Sequence, residues 1–418
     1  MSALDQELGR RLAALRGKGL HRELRRITSP QSARVESEGK TLLNFSSNDY
    51  LGLANEPSIA DAAIEAVRRF GAGAGASRLI CGSLTPHHEL EEALAQFKGT
   101  QAALSFSTGY AAAIGTICAL LGKEDVLVLD KLVHASIVDA ARLCGAKLRI
   151  FSHNDLGCLE DILKWARNRG VNATGSEKEP ARILVATESV FSMEGDHAPL
   201  AQIIELKDKY GAWLMVDEAH ATGLYGPKRR GLAEEYDVAE RIEIQMGTLG
   251  KAMGAAGGYI CGSRVLIDYL INRARSFIFS TAPAPAAAAA ATAGVRFVQS
   301  EAGEHRRQIL WRRVAELAAA RAVGKPNVES CTDRSAIVPI IIGSESRAVE
   351  VAALSLDAGI LIPAIRYPTV PRGSARLRLT LTAAHTNADI HVLAEVLREL
   401  QLIPNSFLLA QPVDASPG

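Results

Sequence analysis

Three short segments carry residue types able to do chemistry together. In Thr248-Leu-Gly250-Lys251-Ala-Met-Gly-Ala-Ala-Gly257-Gly258 one lysine stands among small residues that leave room for a bulky group. A lysine partly withdrawn from water loses its proton more readily and can form a Schiff base. Trp213-Leu-Met-Val-Asp217-Glu-Ala-His220 closes an apolar run with an acid and an imidazole, at the strand end where open α/β sheets bind ligands. Asp217 there either holds a positive ring nitrogen or caps the following turn. Ser105-Phe-Ser-Thr-Gly109-Tyr110 runs from a strand into a helix, leaving backbone N–H groups at the positive end of the helix dipole, as a phosphate cradle or as ordinary capping. Cradle, strand-end aspartate and a lysine 34 residues later form the set that pyridoxal 5'-phosphate needs. The lysine would hold its aldehyde, the helix its phosphate, and the aspartate would keep the pyridine nitrogen protonated so that the ring accepts electrons. His134, in Leu132-Val-His134-Ala-Ser136, follows another strand and either stacks on such a ring or is structural.

Other patterns carry less. Gly71-Ala-Gly73-Ala-Gly75-Ala76 satisfies a GxGxxA nucleotide fingerprint but follows a helix, so it reads as a passage close to a ligand or packed interface. His87 and His88, beside Glu89 and Glu91, lack metal-ligand spacing, and no metal is expected. Lys plus Arg total 47 against 46 for Asp plus Glu, so no basic footprint for nucleic acid or anionic membrane exists. Cysteines 81, 118, 144, 158, 261 and 331 form no CxxC pair and read as free thiols in a reducing compartment. Met1 to Arg26 is charged throughout, without the apolar core of a signal peptide, and the mainly apolar run Ala282–Ala293 is broken by two prolines and too short to span a bilayer. A cytoplasmic protein is expected.

The elements that must position these residues are legible as alternating patterns. Near-continuous apolar runs predict buried strands at 102–106, 126–129, 148–151, 183–187, 213–216, 242–246 and 258–261, which suits a mostly parallel sheet covered on both faces. A helix is expected over 58–70 with a Ser58–Asp61 capping box, and another from a Thr85 cap through Pro86 to Gly99. From 286 to 322 the pattern reads as one long helix. Arg376 to Thr382 alternates, with Leu377, Leu379 and Leu381 toward a core and Arg376, Arg378, Thr380 and Thr382 on a polar surface. The expected organisation is an arm over 1–54, a large α/β domain over 55–290, a smaller α+β domain over 291–403, and a loose tail, 404–418, containing Pro404, Pro412 and Pro417.

Longer stretches resemble the α-oxoamine synthase family, within the aspartate-aminotransferase-like fold (fold type I) of pyridoxal-phosphate enzymes. They are Asn44-Phe-Ser-Ser-Asn48-Asp-Tyr-Leu-Gly-Leu53, His134-Ala-Ser-Ile, Glu188-Ser-Val-Phe-Ser192-Met-Glu-Gly-Asp196, Val216-Asp217-Glu-Ala-His220-Ala-Thr-Gly223, Thr248-Leu-Gly-Lys251, Phe279-Ser-Thr281, and Pro368-Thr369 through Arg376-Leu-Arg378 to His385-Thr. The resemblance implies that Lys251, His134 and Asp217 are catalytic. It implies cofactor contacts from Gly109, Tyr110, His134, Ser192, Asp217, His220, Thr248 and Lys251, with Thr281 meeting the phosphate of a partner subunit in a homodimer that shares its active sites. Arg22, Asn48, His134, Thr369 and Arg378 are implied to bind substrate.

The sequence departs from common family forms at Glu194, Glu218, Ala221 and Tyr367. The implied reaction, in biotin biosynthesis, joins L-alanine to a pimeloyl thioester carried on coenzyme A or acyl carrier protein, with Lys251 removing the α-proton and carbon dioxide and the thiol released. The alternative within the family uses glycine as donor with a shorter acyl thioester.

Overall fold

The computed structural model describes residues 1–168, 181–322 and 334–403; the expected tail and Cys331 lie outside them. The chain divides into two compact units, Asn48–Gln308, and Met1–Ser47 together with Ile309–Gly418.

The larger unit is built on seven strands in the order Ala102–Phe106, Gly258–Gly262, Ile244–Thr248, Trp213–Asp217, Ile183–Glu188, Val126–Asp130, Lys147–Phe151. Gly258–Gly262 pairs antiparallel with the strands on both its sides, and the remaining pairs of this sheet are parallel. All seven strands fall where the apolar runs place them, within two residues at either end. The inner strands are buried on both faces, and Leu104, Leu127, Leu184, Met215, Ile244 and Ile260 pack against Ala112, Ala113, Ile117, Ala140 and Leu270 from helices. Lys147–Phe151 lies at the sheet edge, which leaves Ile150 exposed.

Helix ends differ from expectation where local chemistry competes. The helix Pro57–Phe70 starts one residue early, because Pro57 suits the first turn and Glu56 is extended, so Ser58 lies inside the helix and caps nothing. Thr85 is likewise inside Thr85–Lys98; the His87 imidazole takes the Leu84 N–H at 3.1 Å, and Gly99, left-handed at φ 70°, ends the helix. The stretch read as one long helix is two, Pro285–Gln299 and Glu301–Ala322. Ser300 stands between them in extended conformation, its hydroxyl accepting from Gly303 N–H at 3.2 Å as a helix cap. A side chain at 303 would collide with the Phe297 and Val298 carbonyls, so glycine permits the corner.

In the smaller unit, Arg34–Ser37 and Lys40–Asn44 form a hairpin through Glu38 and Gly39, both at positive φ, and Ile360–Leu361 joins it in parallel. A second antiparallel sheet has the order Ile337–Gly343, Ala375–Thr380, Ala364–Ile365. Its central strand is buried on both faces, including Arg376, Arg378 and Thr380, so the expected polar surface is absent. The polar side survives burial because it is hydrogen-bonded: Arg378 Nη1 donates to Thr380 Oγ1 at 2.8 Å and Arg376 Nε to the Ser374 carbonyl at 3.2 Å. No helix among the described residues is long and apolar enough to cross a membrane.

Candidate active site

The parallel strands deliver their chemistry at their carboxyl ends. Asp217 and Glu188 are the last residues of two paired strands and lie in register with each other; Thr248 ends the next strand. His134 follows the strand Val126–Asp130 at the start of the helix Ala135–Cys144. These four, with Gly109, Tyr110, Ser136, Ala219, His220, Met246 and Lys251, wall a cavity of about 160 Å³. Seven residues expected from sequence therefore meet here: Gly109, Tyr110, His134, Asp217, His220, Thr248 and Lys251.

Gly109 and Tyr110 open the helix Gly109–Leu120, whose cap is Thr108; the threonine hydroxyl accepts from Ala111 N–H at 3.0 Å. The helix start is held against the sheet because Gly258, whose Cβ would fall 2.4 Å from Gly109 N, lets the two backbones touch. Glycines 254 and 258 of the lysine segment serve such close backbone packing, against Leu53 and Gly109 respectively, more than they widen the cavity. Thr248 donates its hydroxyl to the Gly257 carbonyl at 3.0 Å and so ties down both ends of the Lys251 loop.

Lys251 Nζ lies 2.7 Å from His220 Nε2, and Tyr50 Oη holds the other ring nitrogen. Asp217 does cap its turn, accepting from Ala219 N–H at 2.9 Å through Oδ1. Burial raises its carboxyl above the usual range, while Lys251 pulls it back down. His134 Nδ1 faces Ser136 Oγ at 2.8 Å and accepts from Ser136 N–H at 3.2 Å, which leaves the proton of the neutral ring on Nε2. Burial lowers the His134 pKa, with Asp217 opposing, so that neutral ring is the stable form.

Ser192, Asn48 and Thr281 do not line this cavity. Ser192 is buried beside it and donates its backbone N–H to Glu188 Oε2 at 3.2 Å. Asn48 stands next to Tyr50, its Oδ1 3.5 Å from Tyr50 Oη. Thr281 is exposed and bridged to Ser77. The smaller unit holds the rest: Arg22 Nη2 donates to the Tyr367 carbonyl at 3.1 Å, which joins the N-terminal segment to the Tyr367–Thr369 loop, and Arg378 is buried in its sheet. His87, weighed for metal, is fully buried between Leu84 N–H and the Pro283 carbonyl, a structural arrangement.

Sequence reasoning assigned nothing to Tyr50 or Glu188. Glu188 carries the same signal as Asp217, an acid closing a buried apolar strand. Tyr50 has no signal of its own, since only the fold brings it to His220.

A helix N-terminus, a strand-end acid and a lysine around one cavity are also what a known family of enzymes shares with this chain. The family model for class I and II aminotransferases matches residues 40–397, and the chain belongs to this family. It is 44% identical to the 8-amino-7-oxononanoate synthase of Geobacter sulfurreducens, over 96% of this chain and 100% of that protein. It is 47% identical to the enzyme of the same name from an Anaeromyxobacter species, over 95% and 96%. Among solved structures it resembles serine palmitoyltransferase from S. paucimobilis with bound PLP-myriocin aldimine, with a TM-score of 0.85 and 29% identity over 96% and 100% of the two chains. It also resembles 8-amino-7-oxononanoate synthase from Francisella tularensis, with a TM-score of 0.70 and 26% identity over 86% and 98%.

Proposed function

We propose that this chain condenses L-alanine with a pimeloyl thioester to give 8-amino-7-oxononanoate, carbon dioxide and free thiol, using pyridoxal phosphate. The observation that carries the reading is the cavity itself: an amine, a buried acid and free helix N–H groups converge on it. Its donor set fits the cofactor, and the buried Glu188 Oε1, which has no hydrogen-bond partner in the protein, leaves a polar group for a ligand to satisfy. When bound, the cofactor supplies an electron sink for negative charge developing at the amino acid α-carbon.

The residues divide the remaining work. The N–H groups of Gly109 and Tyr110 receive the phosphate at the helix N-terminus. Asp217 would pair with the ring nitrogen and keep it protonated, the cation in turn favouring the ionised carboxylate. Lys251 would hold the aldehyde, and its Nζ is the group placed to take and later return the α-proton. His220, oriented by Tyr50, can accept from Nζ, and that bond fixes where the amine points. His134 offers a neutral imidazole at the cavity wall that would help orient the cofactor ring. Arg22, Asn48, Thr369 and Arg378 are proposed for substrate, Arg378 because a guanidinium forms a bidentate pair with a carboxylate.

A homodimer and a cytoplasmic location belong to the same reading. The dimer is supported by a cluster of uncovered groups: Leu79, Ile80 and Phe279 are exposed near the Ser77–Thr281 bridge, and a side chain at Gly71, Gly73 or Gly75 would meet nothing. Borohydride reduction followed by peptide mapping tests the cofactor site. The pyridoxyl group is expected on Lys251, and its recovery on another lysine contradicts the assignment.

A further inference from the structure

Glu188 ends inside the cavity, and the chemistry above leaves it without a task. Its residue is 2% exposed and its backbone is paired with Asp217 on the next strand. Oε2 accepts from Ser192 N–H at 3.2 Å, whereas Oε1 is buried with no partner in the protein. A buried oxygen left unsatisfied is unfavourable, and the cavity is where the missing partner can stand.

The titratable groups that line the cavity with Glu188 are Tyr110, His134, Asp217, His220 and Lys251; the charges that act on it are those of Asp217 and Lys251, and the His134 backbone N–H also points at the carboxyl. Two carboxyls on paired strands beside one lysine do not both ionise cheaply. Asp217 has Lys251, His134 and the Ala219 N–H in its favour. Burial holds Glu188 well above the ordinary carboxylate range, with the Asp217 charge adding to it. Because Oε2 already serves as acceptor, Oε1 is the oxygen that carries the proton.

We propose that Glu188 is a neutral carboxylic acid that donates a hydrogen bond from Oε1 to the cofactor bound in this cavity. The inference rests on pyridoxal phosphate being that cofactor. A neutral donor adds affinity without setting a second negative group beside Asp217 and an anionic ligand.

Two variants of the full chain and three readouts test it. Infrared spectra of the apoenzyme at neutral pH should contain a protonated carboxylic acid band that disappears in Glu188→Gln. Titration of apoenzyme with pyridoxal phosphate should give Glu188→Gln, which keeps a neutral donor, an affinity within about threefold of the parent, while Glu188→Ala binds about tenfold more weakly, the loss of one hydrogen bond. The pH midpoint of the bound cofactor's visible band should be the same in the parent and in Glu188→Gln. A midpoint shift of about one unit in Glu188→Gln means that a charge was removed and overturns the proposal, as does absence of the infrared band. Unchanged affinity in Glu188→Ala overturns it too. A parent that binds no pyridoxal phosphate, with the infrared band still present, locates the failure in the cofactor reading instead.

Discussion

Tyr50, His220 and Lys251 form a relay whose outer member does not itself line the cavity. Tyr50 is fully buried, so its hydroxyl must be paired, and pairing it with His220 fixes the imidazole that receives Lys251 Nζ. Tyr50→Phe should therefore free the ring, cost about 1 kcal/mol of stability, and lower turnover more than it lowers cofactor affinity. Calorimetry and steady-state rates on the loaded enzyme check this, and unchanged turnover contradicts the relay. Another buried imidazole sets a limit on acid tolerance. His385 stacks on Phe45 at 4.2 Å, accepts from Thr382 N–H at 3.0 Å and faces the Asn44 carbonyl at 3.1 Å. Burial lowers it from 6.5 to about 4. The unfolded chain then binds more protons between those values, so stability is complete above about 6.5 and falls as pH drops toward 4, by about 2 kcal/mol at pH 5. His385→Gln should flatten that limb in denaturant titrations at pH 5 and 7.

Between elements, charged groups join what the strands bring close. His153 lies between Asp130 and Asp196, at 3.0 and 2.8 Å, and thereby links the segment leading to His134 with the turn after Ser192. Burial would lower its pKa, but the two aspartates raise it to about 10. This group stabilises fully below about 6.5 and loses its contribution as pH climbs to 10, the opposite sign to His385. His153→Gln should remove the alkaline slope of the melting temperature, and an unchanged slope between pH 7 and 10 excludes the clasp. Lys98 and Glu218 form a buried ion pair next to Asp217, and Glu218 also accepts from Ala233 N–H at 2.9 Å. Lys98→Met leaves that carboxylate uncompensated and should cost about 3–5 kcal/mol in denaturant unfolding.

The strands were legible because burial on both faces demands an unbroken apolar run, which any reader of the sequence can see. The break at Ser300 was not, since the helical pattern runs through it and only the Gly303 contacts select a corner. The polar side of Ala375–Thr380 misled for a related reason: alternation reports which side chains differ, and a paired arginine can lie under cover as well as in water. Lys251 and Asp217 stood out by local company, whereas Tyr50 reaches the site only through the fold.

The proposed dimer and the choice of donor amino acid each make a prediction for the enzyme in solution. If the exposed Leu79, Ile80 and Phe279 cover a partner, Ile80→Asp should yield monomers in sedimentation with little activity, because active sites are proposed to be shared; a fully active monomer contradicts sharing. Arg378→Ala should raise the alanine requirement far more than the thioester requirement. Product analysis by mass spectrometry, with purified enzyme given alanine or glycine against pimeloyl, acetyl and succinyl thioesters, tests the proposed reaction directly. Formation of 8-amino-7-oxononanoate from alanine and pimeloyl thioester should be the fastest reaction, with glycine disfavoured by about 1–3 kcal/mol, the worth of one methyl group. Faster condensation of glycine with acetyl or succinyl thioester would contradict it.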